Sequence, residues 1–187
     1  MIGFQDVWFT SDTHFDHANI IKYSRPEFKD VSAEEMSEVL IDKWNKKVKS
    51  NDLIFHLGDV FICKSKRSEE IASRLNGRII LIKGNHDAFS DTKYRKMGMN
   101  PFIYYQFEEF FLSHKPFNVT SLREANHIGA IHCNIHGHTH EQVDELSPYL
   151  HFNVCVENHK YEPIHLEEIR YWIKCNDRPY YQKFDLR

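Results

Sequence analysis

At 187 residues, 41 % apolar and 27 % charged, the chain has the composition of a protein that buries a substantial core, and its length suits one domain rather than two. With 24 Lys and Arg against 27 Asp and Glu, the formal net charge is -3, which excludes a bulk field recruiting nucleic acid or an anionic membrane. No apolar run approaches the ~20 residues of a bilayer crossing, a basic-then-apolar leader is missing, and Cys63, Cys133, Cys155 and Cys175 form no CxxC pair. The expectation is a cytoplasmic protein with reduced thiols and no membrane insertion, residues 1–187 forming one domain, as monomer or homodimer.

In chain order, Gln5 to Asp12 reads as a strand ending in polar residues, and Asp16 to Tyr23 begins a short helix. Ser32 with Glu35 three residues on is a capping-box pattern, followed at helical spacing by Met36, Val39, Leu40, Trp44 and Val48. The basic residues Lys43, Lys46, Lys47 and Lys49, then Lys64, Lys66 and Arg67, read as solvated helix faces. Asp52 to Asp59 is a second buried strand ended by Gly58, Ser68 to Leu75 a helix, and Gly77 to Asn85 a third strand ended by Gly84. Strands that stop at Gly or Asp align their C-terminal ends on one sheet edge, where open α/β sheets place ligands.

The second half is aromatic-rich. Phe102 to Phe107 and Glu109 to Ser113 read as strands, and "GAIHCNIHGHTH" and "LHFNVCVE" supply two more with little helix between them. This pattern predicts hairpins rather than crossovers. Glu162 to Cys175 fits a strand leading into a helix, and the tail with Pro179, Tyr180 and Tyr181 is free to pack on the surface or reach a partner.

Polar chemistry gathers at these strand ends. Asp12 and His14 are two apart, so in an extended segment both leave one face and can bind one ion. Asp59 follows Gly58, and a carboxylate has two oxygens with which to bridge two cations. Asn85 offers a neutral oxygen, His114 ends an aromatic strand, and "GHTH" places His138 and His140 two apart after Gly137. Singly, each has an ordinary explanation as a turn cap or loop residue. Together, Asp12, His14, Asp59, Asn85, His114, His138 and His140 are seven ligand-type residues at strand ends, enough for two ions completed by water.

The blocks "SDTHF", "LGDV", "KGNHDA", "SHKP" and "HGHTH" resemble the ordered motifs of the calcineurin-like metallophosphoesterases, and "HFDHANII" followed by "RPEF" resembles their small single-domain bacterial and phage members. The resemblance implies an α/β/β/α sandwich of two mixed β-sheets. It implies a first metal on Asp12, His14, Asp59 and His140 and a second on Asp59, Asn85, His114 and His138, with Asp59 bridging. Two cations about 3.5 to 4 Å apart would generate a bridging hydroxide and clamp the phosphoryl oxygens. His86 would assist the leaving group from outside the metal shell, with Asp87 orienting its ring.

Mixed nitrogen and oxygen donors suit Mn or Fe first, with Zn, Ni or Co as alternatives, over an oxygen-rich Mg or Ca cage. His17, Asn19 and Arg25 follow the first motif and are candidates for the substrate side of the site. Arg25 has the fork geometry to hold a phosphate, and equally to cap a helix or pair with Glu27. His56, inside an apolar strand, reads as a hydrogen-bonded core histidine, and Asn153 and Glu157 as support from a late strand. After Asp59 comes "VFICKSK" in place of the arginine-bearing signature of protein Ser/Thr phosphatases. That departure ranks a phosphodiesterase acting on a small phosphoester, a nucleotide or a nucleic-acid end above a phosphomonoesterase or protein phosphatase. The competing reading is a non-catalytic interaction protein that keeps the fold.

Overall fold

The computed structural model describes residues 6–118, 120–121, 124, 131–142 and 150–176. Its elements in chain order are β1 (Val7–Thr10), α1 (Ala18–Ser24), α2 (Ala33–Lys47), β2 (Leu53–His56), α3 (Ser65–Arg74), β3 (Arg78–Ile82), α4 (Asp91–Lys96), β4 (Met99–Phe102), β5 (Tyr104–Phe107), β6 (Phe110–Ser113), β7 (Cys133–His136), β8 (His151–Asn153), β9 (Ile164–His165) and α5 (Leu166–Asn176). Single 3-10 turns occupy Pro26–Phe28 and Val156–His159.

The apolar runs of the first half form a five-stranded sheet in the order β4-β3-β2-β1-β9. Its first four strands are parallel and β9 is antiparallel to β1. Parallel neighbours need a crossover, and α2 and α3 supply it. The capping box of α2 is complete: Glu35 N–H donates to Ser32 Oγ at 3.1 Å and Ser32 N–H to Glu35 Oε2 at 2.8 Å. Met36, Leu40, Ile41 and Trp44 turn one face inward, whereas Val39, at the same helical spacing, remains exposed. That face packs with Ile71 of α3 and Tyr94 of α4 on the Ile54, Ile79 and Leu81 side of the sheet.

The second sheet has four strands in the order β5-β6-β7-β8. Phe9, Phe55 and Leu57 of the first sheet meet Phe110, Leu112, Ile135 and Phe152 of the second, and Ile169 and Ile173 of α5 join this cluster. The result is two mixed β-sheets flanked by helices, the sandwich that the motifs imply. The expectation of hairpins holds for β5 and β6, which pair antiparallel across a turn where Glu108 takes φ 50°. It fails beyond them, because β6 with β7 and β7 with β8 are parallel. The polar sequence between Ser113 and Cys133 hides that return, although residues 120, 121 and 124 within it are helical.

Two elements escape the sequence pattern altogether. β4 contains Pro101, which argues against a strand, yet β4 is the sheet edge, where a missing N–H breaks no ladder. α4 is only six residues long and is opened by Ser90, whose Oγ accepts from Lys93 N–H. Within the basic clusters, Lys46 pairs with Asp42, Lys47 with Glu162, and Arg67 with Asp16, Glu38 and Glu70. The tail with Pro179, Tyr180 and Tyr181 lies outside the described residues. No helix among the described residues is long and apolar enough to cross a membrane.

The packing of α2 makes a stability prediction. Ser32→Ala removes the cap and is expected to cost about 1 kcal/mol, whereas Trp44→Ala, at 2 % exposure, empties the core beneath the helix and is expected to cost about 3 to 5 kcal/mol. Urea unfolding of both variants measures the difference; equal losses would contradict this division.

Candidate metal centre

Backbone pairing continues past the strand ends and carries the polar loops to one place. Asp12 N–H donates to Gly58 O at 2.9 Å, His14 N–H to Asp59 O at 3.0 Å, and Gly137 N–H to His114 O at 2.9 Å. The loops then turn hard: Asp12, His14, Asp59, His138 and His140 all take positive φ, between 46° and 71°. Asp and His tolerate this left-handed region better than branched residues, but it remains sparsely used and gathers at functional sites. Close approach explains two glycines: a Cβ on Gly84 would overlap Asp59 Oδ1, and one on Gly137 would overlap Ser11 Oγ and Asp12 Oδ2.

Asp12 is fully buried and divides its oxygens. Oδ2 accepts from Ser11 Oγ at 2.5 Å, His138 N–H at 2.9 Å and Cys155 Sγ at 3.2 Å. Oδ1 has no hydrogen-bond partner; it lies 3.7 Å from His14 Nε2 and 3.9 Å from His140 Nε2. Both nitrogens of buried His14 are likewise unpartnered. Burial acts to raise the Asp12 carboxyl and is overridden by His14, His114 and His140, which hold it well below the usual carboxylate range. Orphaned buried donors and acceptors facing one another are costly unless an ion satisfies them.

Asp12, His14 and His140 form one cluster with ligand atoms within 4.8 Å of one another, and Asp59, His114 and His138 form a second. Asp59 connects them. Its Oδ1 accepts from His86 N–H at 2.8 Å, while Oδ2 stands 3.8 Å from His14 Nε2 and 3.5 Å from His114 Nε2. Asn85 joins the second cluster, with Oδ1 3.0 Å from His114 Nε2. Ring partners aim the imidazoles: His114 Nδ1 meets Leu57 O at 2.8 Å and His140 Nδ1 meets Glu157 Oε1 at 3.1 Å. Each histidine thereby keeps Nε2 for its cluster, and His138 presents Nδ1, 3.2 Å from His114 Nε2. The nitrogen and oxygen donors and the orphaned atoms fit a binuclear divalent-cation site.

Residues 6–154 match the calcineurin-like phosphoesterase superfamily domain. The chain belongs to that superfamily. It is 37 % identical over 175 residues to the uncharacterized protein MJ1445 of Methanocaldococcus jannaschii, covering 90 % of this chain and 91 % of that one. It is also 33 % identical over 85 residues to the gene 66 protein of Mycobacterium phage D29, covering 44 % of this chain and 40 % of that one. The crystal structure of AQ665 from Aquifex aeolicus, 28 % identical, superposes with a TM-score of 0.70 over 89 % of this chain and 98 % of that one.

Two expectations for this calcineurin-like phosphoesterase need correction. Asp87 does not orient His86. Its Oδ2 accepts from Asp59 N–H at 2.8 Å and Gly84 N–H at 2.7 Å, and its Oδ1 from Val60 N–H at 3.1 Å and Tyr94 Oη at 3.0 Å. Those bonds tie the Asp59 turn to the Asn85 turn, because Asp87 sits beneath both. Arg25 is not at the substrate side either. It is fully buried, donating to Asp12 O at 2.5 Å and Thr13 O at 2.9 Å and pairing with Glu157 at 2.7 Å, not with Glu27.

The His17 ring is half-buried 5.3 Å from that of His14, and burial with the neighbouring positive fields pulls it down to about 4. Asn19 is exposed on α1. His56 is buried, with Nε2 2.9 Å from Thr13 Oγ1 and Nδ1 accepting from Gly58 N–H at 3.2 Å. Asn153 holds the histidine loop by donating to Thr139 Oγ1 and His140 O. Ser11 stands inside the SDTHF block without a role read for it, Cys155 and Tyr94 lie outside the motif blocks, and only the fold reveals what all three touch. Burial raises the Cys155 thiol well above its usual value, so it stays protonated and can donate to Asp12.

These contacts separate scaffold from chemistry. Asp87→Asn forces an amide NH2 against N–H or O–H donors and is expected to lower stability by about 1 to 3 kcal/mol, with Tyr94→Phe costing about 1 kcal/mol; urea unfolding reads both, and an undiminished Asp87→Asn protein would contradict the scaffold role. Burial lowers His56 from 6.5 to about 4. The folded state therefore binds fewer protons than the unfolded one between those values, so the contribution of His56 is full above about pH 6.5 and lost as pH falls toward 4. His56→Gln should flatten the stability curve over that window by about 3 kcal/mol or less, measured by unfolding at successive pH against wild type.

Proposed function

We propose that this chain is a metal-dependent phosphoesterase that prefers phosphodiesters. The observation that carries the reading is Asp59 Oδ2, placed within 4 Å of a nitrogen from each cluster while Oδ1 is held by the main chain. Such a carboxylate is positioned to serve two cations at once, with Asp12, His14 and His140 completing one site and Asn85, His114 and His138 the other. Bound there, Mn or Fe, or Zn, Ni or Co, would supply Lewis acidity toward the phosphoryl oxygens and lower the pKa of the attacking water.

The chain's own groups account for the rest. Main-chain donation from His86 to Asp59 fixes the start of its side chain, and the ring is half exposed with Nε2 4.0 Å from Asp59 Oδ2. It thus stands over the clusters without belonging to either, where an Nε2 proton can pass to a leaving oxygen. His17, beside His14, and Asn19 on the exposed face of α1 are assigned to the substrate side. Val60 and Phe61, which follow Asp59, turn into the core, and Arg25 and Arg67 are committed to ion pairs. A phosphomonoester dianion therefore loses the guanidinium clamps nearest in sequence, and a singly charged diester, such as a nucleotide derivative or a nucleic-acid end, needs fewer.

Metal-reconstituted protein is expected to cleave a bis-aryl phosphate faster than the mono-aryl ester. His86→Ala should lower turnover by about 10²- to 10⁴-fold while retaining bound metal, and Asp59→Ala should lose both turnover and metal. Inactivity under every metal condition would overturn the enzyme reading; preference for the monoester would overturn the diesterase assignment.

A further inference from the structure

Arg25 and Glu157 are 132 residues apart and form a buried pair, with side-chain exposures of 0 % and 4 %. Burying two charges costs several kcal/mol, which their attraction about repays, so such a pair is poorly explained by stability alone. Its connections are more telling. Arg25 donates to the carbonyls of Asp12 and Thr13, and both its Nε, at 2.8 Å, and its Nη2, at 2.7 Å, meet Glu157 Oε1. The same oxygen faces His140 Nδ1 at 3.1 Å. One carboxylate oxygen thus links the turn carrying Asp12 and His14 to the imidazole of His140.

In the other cluster Asp87 fastens main-chain turns, and among the described residues no carboxylate from outside the clusters hydrogen-bonds to the ring of His114 or His138. His114 Nδ1 is oriented by the main-chain carbonyl of Leu57, and the Ser113–Phe117 segment is held by the neutral amide of Asn134, which donates to Ser113 Oγ and accepts from Phe117 N–H. A carboxylate or a carbonyl behind a ligating imidazole fixes its tautomer and raises its basicity, and the charged carboxylate, whose hydrogen bond is the stronger, raises it further.

We propose that Arg25 and Glu157 are positioning residues that set the cation affinity of the Asp12–His14–His140 site selectively, making the two sites unequal. This rests on the reading of the clusters as a binuclear metal centre. Glu157→Gln is the informative substitution, because Oε2 has no hydrogen-bond partner and an amide there displaces no donor while Oε1 continues to accept.

The test titrates full-length wild type and Glu157→Gln with Mn(II), reading metal per chain by elemental analysis, spin coupling by electron paramagnetic resonance, and melting temperature. The expected result is two coupled ions in wild type. In Glu157→Gln, one ion should bind about 10- to 100-fold more weakly, leaving one ion with an uncoupled six-line signal at intermediate Mn(II). Two ions bound with wild-type affinities would overturn the proposal and leave the metal centre standing, as would equal weakening of both sites with a lowered melting temperature. Wild type that takes up no metal would instead overturn the underlying reading. If Glu157→Gln does not fold, Glu157→Asp, which keeps the charge but withdraws it from His140, carries the same criteria.

Discussion

The site depends on how one buried carboxylate shares its two oxygens. Asp12 Oδ2 gathers a hydroxyl from its own strand end, a main-chain N–H from the histidine loop and a thiol from the segment after β8. Oδ1 is thereby aimed at two imidazole nitrogens and left without a donor. A carboxylate satisfied on one side and starved on the other presents its free oxygen to a cation, since its bonds on one oxygen fix where the other points. Asp87 plays the complementary part, saturated on both oxygens and therefore purely a fastener.

Backbone strain and glycine contacts follow from that constraint. Bringing the candidate ligands that follow β1, β2, β3, β6 and β7 to one place demands left-handed turns at five of them, each sparsely populated for a residue with a Cβ. The parallel ladders supply the rigidity that holds such turns, with the main-chain bonds from Asp12 to Gly58 and His14 to Asp59 extending the β1–β2 register beyond the strands. The apolar contact of the two sheets does the same work at larger scale, because Asp12 and His138 come from different sheets.

Residue type and order made the two clusters legible, since Asp-x-His, Gly-Asp, Gly-Asn-His and Gly-His-x-His each put side chains of cation-binding type at the end of an apolar run. The α2 capping box was legible because it is local. Asp87 was misleading because adjacency to His86 suggests contact, whereas the turn points the two side chains apart. Arg25 was misleading because a long cation near a motif suggests a ligand contact, and only the fold reveals that Glu157 reaches it from the far end of the chain. The parallel return of β7 and β8 was hidden because strand direction has no local signature when the connections are polar.

The separation in sequence of the groups that meet at the centre has a consequence for how the chain acquires it. Asp12 and His138 are 126 positions apart, and Arg25 and Glu157 132. Contacts this distant form only after the intervening loops have been closed, which places them late in folding. Strands β1 to β3 can pair and be covered by α2 and α3 through nearer contacts, but the complete donor set exists only once the second sheet has docked. Capture of a cation by these clusters would thereby be tied to the finished fold, and a bound ion would act by mass action on that state alone, across the seam between the two sheets.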